Sequence, residues 1–216
     1  SIAKEEKSEF NDRLMKRLKG ESIAPLNSYE EKVYSLVGFI EKDFDRREYP
    51  ELYEALQYIN KGQIESIRQQ YSLGNAKTIM QEELLRISLL KGGASVLVDA
   101  YLVRGRLTHE EMNFALGYGF MLQLGDDLQD IKEDYENHHE TLMTSRISKN
   151  KLDSMATKLI NFTNALLNSL SCYDKEQEEE LRHIIKTNCI MLVLLSVIKS
   201  KEHFSSEYIT KLKPYL

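Results

Sequence analysis

Apolar residues recur along this chain with the three-and-four spacing of amphipathic helices, and no stretch shows the two-residue alternation of a strand. Residues 2–18 are charged and helix-prone, and Gly20 to Asn27, with Pro25, breaks the pattern. Val33, Leu36, Val37 and Ile40 then share one helical face, behind an S-x-x-E capping box formed by Ser28 and Glu31. A third helix opens on Pro50, suited to a first turn, and runs to about Tyr71 with Leu52, Leu56, Ile59, Ile64 and Ile67 inward.

After a break at residues 72–75, Thr78 and Gln81 form a second capping box for a helix over about 79–104. This helix contains Lys91-Gly92-Gly93, and paired glycines mark a kink or a close approach. Thr108 and Glu111 form a third box, opening a helix that lasts to about Asn137. His138 to Lys149 reads as a polar loop. A helix over about 150–170 carries Leu152, Met155, Leu159, Phe162, Ala165 and Leu166 on one side. One over about 175–200 ends in an apolar run from Cys189 to Ile198, which reads as a buried helix too short to span a bilayer. A short helix over about 205–212 closes the chain. The pattern predicts one all-α domain, a bundle of seven or eight helices.

Composition narrows the function classes. The 216 residues are enough for one substantial core, and 42% hydrophobic with 29% charged residues reads as soluble and globular. A net charge of −5 with no basic block argues against a nucleic-acid partner. Cys172 and Cys189 make no metal or redox spacing and fit a reducing cytoplasm.

Chemistry concentrates between Gly117 and Asp134, where an apolar lead-in ends in a cluster of carboxylates. On a helix Asp126, Asp130 and Asp134 drift only ~80° around the axis, with Gln123 inside the arc and Asp127 at its edge. Like charges stacked on one face cost stability, and Mg²⁺, which favours carboxylates together with substrate phosphates, would offset it. The plain alternative is a solvated acidic face. Against it, Met112, Ala115, Leu116 and Gly119 share the stripe, which is not a solvent-facing composition.

Gln123-x-x-Asp126-Asp127-x-x-Asp130 resembles the second aspartate-rich motif of the trans-isoprenyl diphosphate synthases, within the class I isoprenoid synthase superfamily. The Asp126/Asp130/Asp134 spacing is also similar to the second metal motif of terpene cyclases and of squalene/phytoene synthases. The resemblance is strongest over residues 85–140. It implies an isoprenoid-synthase bundle acting on an allylic isoprenyl diphosphate, by ionisation followed by prenyl transfer, cyclisation or coupling. Mg²⁺ would be held by Asp126 and Asp130 first, then by Asp127 and Asp134. Lys91-Gly92-Gly93 resembles the K-T-G segment whose lysine contacts diphosphate, with Gly92 in place of the threonine. Asp126, Asp130 and Lys91 are therefore the expected catalytic residues.

Gln123 could orient diphosphate or serve as a satisfied core amide. Lys132 and Arg146 are weaker diphosphate candidates, Gly119 belongs to the pocket wall, and Leu116 and Phe120 could limit chain length or be ordinary core. His138, His139 and Glu140 do not read as a metal site, and His109 reads as a first-turn residue. A homodimer fits the resemblance, and stable membrane insertion does not.

The superfamily needs two facing metal motifs, and only one is evident here. Asp43-Phe44-Asp45-Arg46-Arg47 is similar only superficially and lies too close to Asp126. The first motif, and the N-terminal helices that carry it, are expected upstream of Ser1. Residues 1–216 would then be the C-terminal two-thirds of the domain. The alternative is a related non-catalytic helical protein, acting as a regulatory subunit or interaction module.

Overall fold

The structure is a computed structural model that describes residues 4–70, 79–147, 151–169 and 176–215. It is all-α. Among the described residues no strand forms, and the one β-like feature is an isolated antiparallel bridge between Gln70 and His139. Thr78, the break at 72–75 and Cys172 lie outside the described residues.

Helices α1 (Lys4–Leu18), α2 (Ser28–Asp43) and α3 (Pro50–Ser66) come first. The cap of α2 is Asn27, one residue ahead of the expected Ser28. Its side chain accepts from the N–H groups of Tyr29 at 3.0 Å and Glu30 at 2.9 Å. Asparagine satisfies two orphan donors there at once, so the capping box is not needed. Pro50 occupies the first turn of α3, as expected. That helix stops at Ser66 and tightens into a 3₁₀ turn over Ile67–Gln69, short of Tyr71.

The predicted helix over 79–104 is three pieces: α4 (Gln81–Ser88), a π-helical turn (Leu89–Gly93) and α5 (Ala94–Arg104). Gly105, at φ 75°, ends α5 in a conformation that disfavours other residues. Next comes α6 (His109–Gln129), opened by the Thr108–Glu111 capping box with both reciprocal bonds present. The helix expected to reach Asn137 breaks at Asp130, whose φ of −100° and ψ of 11° lie outside the α region. A separate short helix, α7 (Ile131–Glu136), follows. The bend carries Ile131 into the core beside Leu128, both fully buried.

The expected polar loop after 138 is largely buried. Leu142 and Met143 enter the core, and Thr144–Ile147 forms α8. Then come α9 (Asp153–Asn168), α10 (Glu176–Lys199) and α11 (Ser206–Leu212), the last capped by Ser205. The inward face of α9 is Ala156, Leu159, Thr163 and Leu167, so Phe162 and Ala165 turn outward from the expected stripe. The Cys189–Ile198 run of α10 is buried on one side only. Cys189, Val193, Leu194 and Val197 face inward, while Leu192 and Leu195 are 51% and 54% exposed. Glu179–Lys199 is long and apolar enough to cross a membrane by length and composition, a test that core helices also pass.

Two apolar clusters organise these elements, and α6 belongs to both. Its first half joins α3 and α5 through Ala115, Leu52, Ala55, Leu97, Val98 and Tyr101. Its second half joins α4, α9 and α10 through Met121, Leu124, Leu128, Leu84, Leu159 and Val193. Burying a side chain of this size contributes roughly 1.5–3 kcal/mol. The acidic end of α6 is thereby fixed by the core beneath it.

Candidate functional site at the acidic end of α6

The site is built on glycines. The π turn inserts one extra residue per turn, which brings Gly92 and Gly93 onto α6. A Cβ on Gly92 would meet the Gln123 Cβ at 2.6 Å, and one on Gly93 would meet the Leu116 carbonyl oxygen at 2.9 Å. The close approach expected from the paired glycines is present, and it delivers Lys91 to the carboxylates.

Each carboxylate then takes a different environment. Asp126 is exposed, yet burial of part of its carboxyl, followed by the charge of Asp130, pushes it above the ordinary carboxylate range. Lys91 pulls it the other way, and Asp134 adds to the upward push. Asp127 does not share that outer arc. It is 6% exposed and accepts a hydrogen bond from Gln123 Nε2 at 2.8 Å. Burial pushes it up to about 6, against the pull of Gln123 and Lys91. Asp130 lies 3.9 Å from Lys199 Nζ, and Asp134 Oδ1 lies 3.0 Å from His139 Nδ1. The positive offset that the stacked carboxylates require is supplied in part by Lys91 and Lys199 of the chain itself.

Two cavities meet here. A groove of about 1380 Å³ runs between α1, α2 and α3, walled by Leu14, Val33, Leu36, Val37, Ile40 and Ile59, with Lys91 and His139 also on its lining. A smaller cavity of about 450 Å³ lies between the π turn, α6 and α10, and Lys91, Gln123, Asp126 and Gln129 line it. Lys91 and Gln63 belong to both linings.

The other predicted residues fall as follows. Gly119 lines the smaller cavity. Leu116 packs into the cluster shared with α5, and Phe120 packs edge-on to Phe162 at 5.9 Å, so neither is on the lining of these two cavities. Ala115 is buried in the same cluster as Leu116, and Met112 packs against it. Lys132 is exposed on α7, outside both linings. Arg146 hydrogen-bonds the side-chain oxygen of Gln81. His109 contacts Asn113 at 3.0 Å within the first turn of α6, as its position suggested.

His139 and Lys199 were not singled out as site residues from the sequence. Lys199 reaches Asp130 from α10, and His139 reaches Asp134 across the turn after α7. Only the fold creates the first proximity, and the second depends on the turn after α7, which is tied to Gln69 and Gln70.

Among the described residues, no group of three or more His, Cys, Asp or Glu side chains is placed to hold a metal ion by itself. Mg²⁺ bound to a phosphorylated ligand needs only one or two carboxylates, the phosphates and water completing its shell. Asp126 and Asp130, one helical turn apart and both solvent-accessible, fit that smaller requirement. Comparison with protein-family models, with curated proteins and with solved structures returns no match to this chain.

Proposed function

We propose that this chain is an isoprenoid-synthase-type enzyme that binds an allylic isoprenyl diphosphate and ionises it. One observation carries the reading: Lys91 stands on both the apolar groove and the acidic cleft. An amphiphile with a hydrocarbon chain and an anionic head matches that junction. The chain would lie between α1, α2 and α3, away from Leu116 and Phe120.

Asp126 and Asp130 would hold Mg²⁺, which neutralises charge on the departing diphosphate when bound. Lys91 would contact the same oxygens, and Gln123 would hold Asp127 below. The apolar walls of the groove would keep water from the cation.

A non-catalytic binding protein is the second reading. It is favoured by the partners that Asp127, Asp130 and Asp134 already find in Gln123, Lys199 and His139.

Thermal melting tests the site, and pyrophosphate release from farnesyl diphosphate separates the readings. Near-hundredfold saturation with Mg²⁺ and pyrophosphate should raise the melting temperature by about 5–10 °C. The double variant Asp126→Ala, Asp130→Ala should abolish the rise, and a retained rise would sink the metal assignment. Ligand stabilisation without pyrophosphate release would favour the binding protein.

A further inference from the structure

Helix α10 buries one face and leaves the opposite one apolar. Leu181, Ile184, Leu192 and Leu195 are each about half exposed, and the exposed Asn188 stands among them. At 100° per residue all five fall within an arc of ~80°. A single exposed leucine needs no explanation, but a stripe along a whole helix marks an interaction face.

The stripe is symmetric about Asn188, which lies at the middle of α10. Leu181 and Leu195 lie seven residues to either side of it, and Ile184 and Leu192 four residues to either side. Turning the helix end over end about Asn188 therefore lays Leu181 on Leu195 and Ile184 on Leu192. The asparagine amide both donates and accepts, so two copies can bond each other at that point. An amide within an apolar seam costs stability and fixes the register. The charges follow the same symmetry. Glu180 is exposed near the start of the helix, and Lys199 is largely exposed at its end. An antiparallel pair brings each Glu180 within a turn of the other copy's Lys199, and opposes the helix dipoles favourably. A parallel pair would set Lys199 against Lys199.

We propose that a second copy of this chain covers this face, the two α10 helices running antiparallel across a two-fold axis at Asn188. A helix of 24 residues is ~36 Å long and ~10–12 Å across, so each copy offers a footprint of roughly 400 Å². That is about half of what a standard stable interface takes from each partner. The dimer is therefore reversible and forms at micromolar concentration. Leu192 also lines the smaller cavity, so the same contact brings the second copy's Ile184 to its edge. The dimer does not depend on the reaction proposed above.

Sedimentation equilibrium of the chain alone, over the low to high micromolar range, should show the mass rising from one chain toward two. Leu195→Glu sets a carboxylate against the other copy's Leu181 and should weaken association at least about tenfold. Val103→Glu, at an 83% exposed apolar position on α5, should leave association unchanged. Oxidising a mixture of Leu181→Cys and Leu195→Cys chains should link position 181 of one to position 195 of the other. Links of 181 to 181 and 195 to 195 instead would overturn the antiparallel arrangement. Should Leu195→Glu melt well below the wild type, that cross-link decides. A single-chain mass at every concentration overturns the dimer, and so does a dimer that Leu195→Glu leaves intact. A chain that stays monomeric and floats with phosphatidylcholine–phosphatidylglycerol vesicles, but not as Leu195→Glu, would give the face to a membrane and overturn the proposal.

Discussion

Gly92 and Gly119 meet backbone to backbone. A methyl on Gly119 would stand 2.7 Å from the Gly92 carbonyl carbon, and closer still to its oxygen. Neither partner is a flexible side chain, so the clash is relieved only by moving the π turn off α6. Gly119→Ala or Gly92→Ala should cost about 1–3 kcal/mol or more, as overpacking does, and lower the melting temperature accordingly. Gly38, also within a helix, has no atom within 4 Å of an added Cβ. Gly38→Ala should instead stabilise by roughly 0.5–1 kcal/mol. If Gly119→Ala and Gly38→Ala melt alike, the close approach is wrong.

The buried carboxyl of Asp127 gives a second prediction with a definite sign. Its folded value of about 6 exceeds the ordinary 3.8. Its contribution to stability is fully present below the ordinary value and is lost as pH rises through about 6. Ionised above that pH, it costs on the order of 3 kcal/mol. Asp127→Asn keeps an oxygen for Gln123 Nε2 and removes the charge. The variant should melt higher than the wild type at pH 8, and the gain should fade between pH 6 and pH 4. A gain that does not depend on pH would show that Asp127 carries no buried charge.

The contrast between Asp126 and Asp127 also shows what could be read from the chain alone. The Thr108–Glu111 cap is local, and it forms at the residues that carry it. One straight helix to Asn137 is what the pattern implies, and the chain instead turns at Asp130. The turn at Asp130 is set by the demand to bury Ile131, and no local propensity announces it. The expected arc also places Asp127 on its edge, whereas it is buried and accepts a hydrogen bond from Gln123 one turn earlier on α6. His139 was unreadable for a related reason, since its loop is fixed by Gln69 and Gln70 of a distant helix end. The face of α9 slipped because Phe162 is the larger apolar side chain, whereas the neighbouring helices bury Thr163, whose hydroxyl satisfies the Leu159 carbonyl at 2.8 Å.

A third prediction concerns the outer wall of the groove. Two ion clusters tie α2 to α1: Arg13 with Glu30 at one end, and Arg17 with Glu41 and Arg46 at the other. The Arg17 guanidinium, with help from Arg46, holds the Glu41 carboxyl down to about 2 against its burial. That contribution is present above the ordinary 4.5 and is lost as pH falls through about 2. Because Glu41 is partly solvated, Glu41→Gln should cost only roughly 1 kcal/mol, and less at high salt. Leu36 and Phe39 of α2 are about 60% exposed and add little packing. Hydrogen exchange should therefore quicken on α2 in Glu41→Gln while the amides of α6 keep their protection. Uniform quickening would mean that α2 is not a separately held element.

The two faces of α10 supply the fourth. Val197 is fully buried in the cluster that supports the acidic end of α6, whereas Leu195, two residues earlier, is more than half exposed. Val197→Ala removes two buried methyl groups and should cost about 1–3 kcal/mol, including the cavity left behind. Leu195→Ala deletes a larger side chain, yet an isolated chain should lose no more than about 0.5 kcal/mol, because the leucine already faces solvent. Size therefore predicts one order of sensitivity and burial the opposite order. Melting both variants at low and high protein concentration adds a further reading. If Leu195→Ala is costly at high concentration and silent at low, that face of α10 is covered by a second copy. If it is costly at every concentration, the helix sits deeper in the bundle than its exposed face indicates.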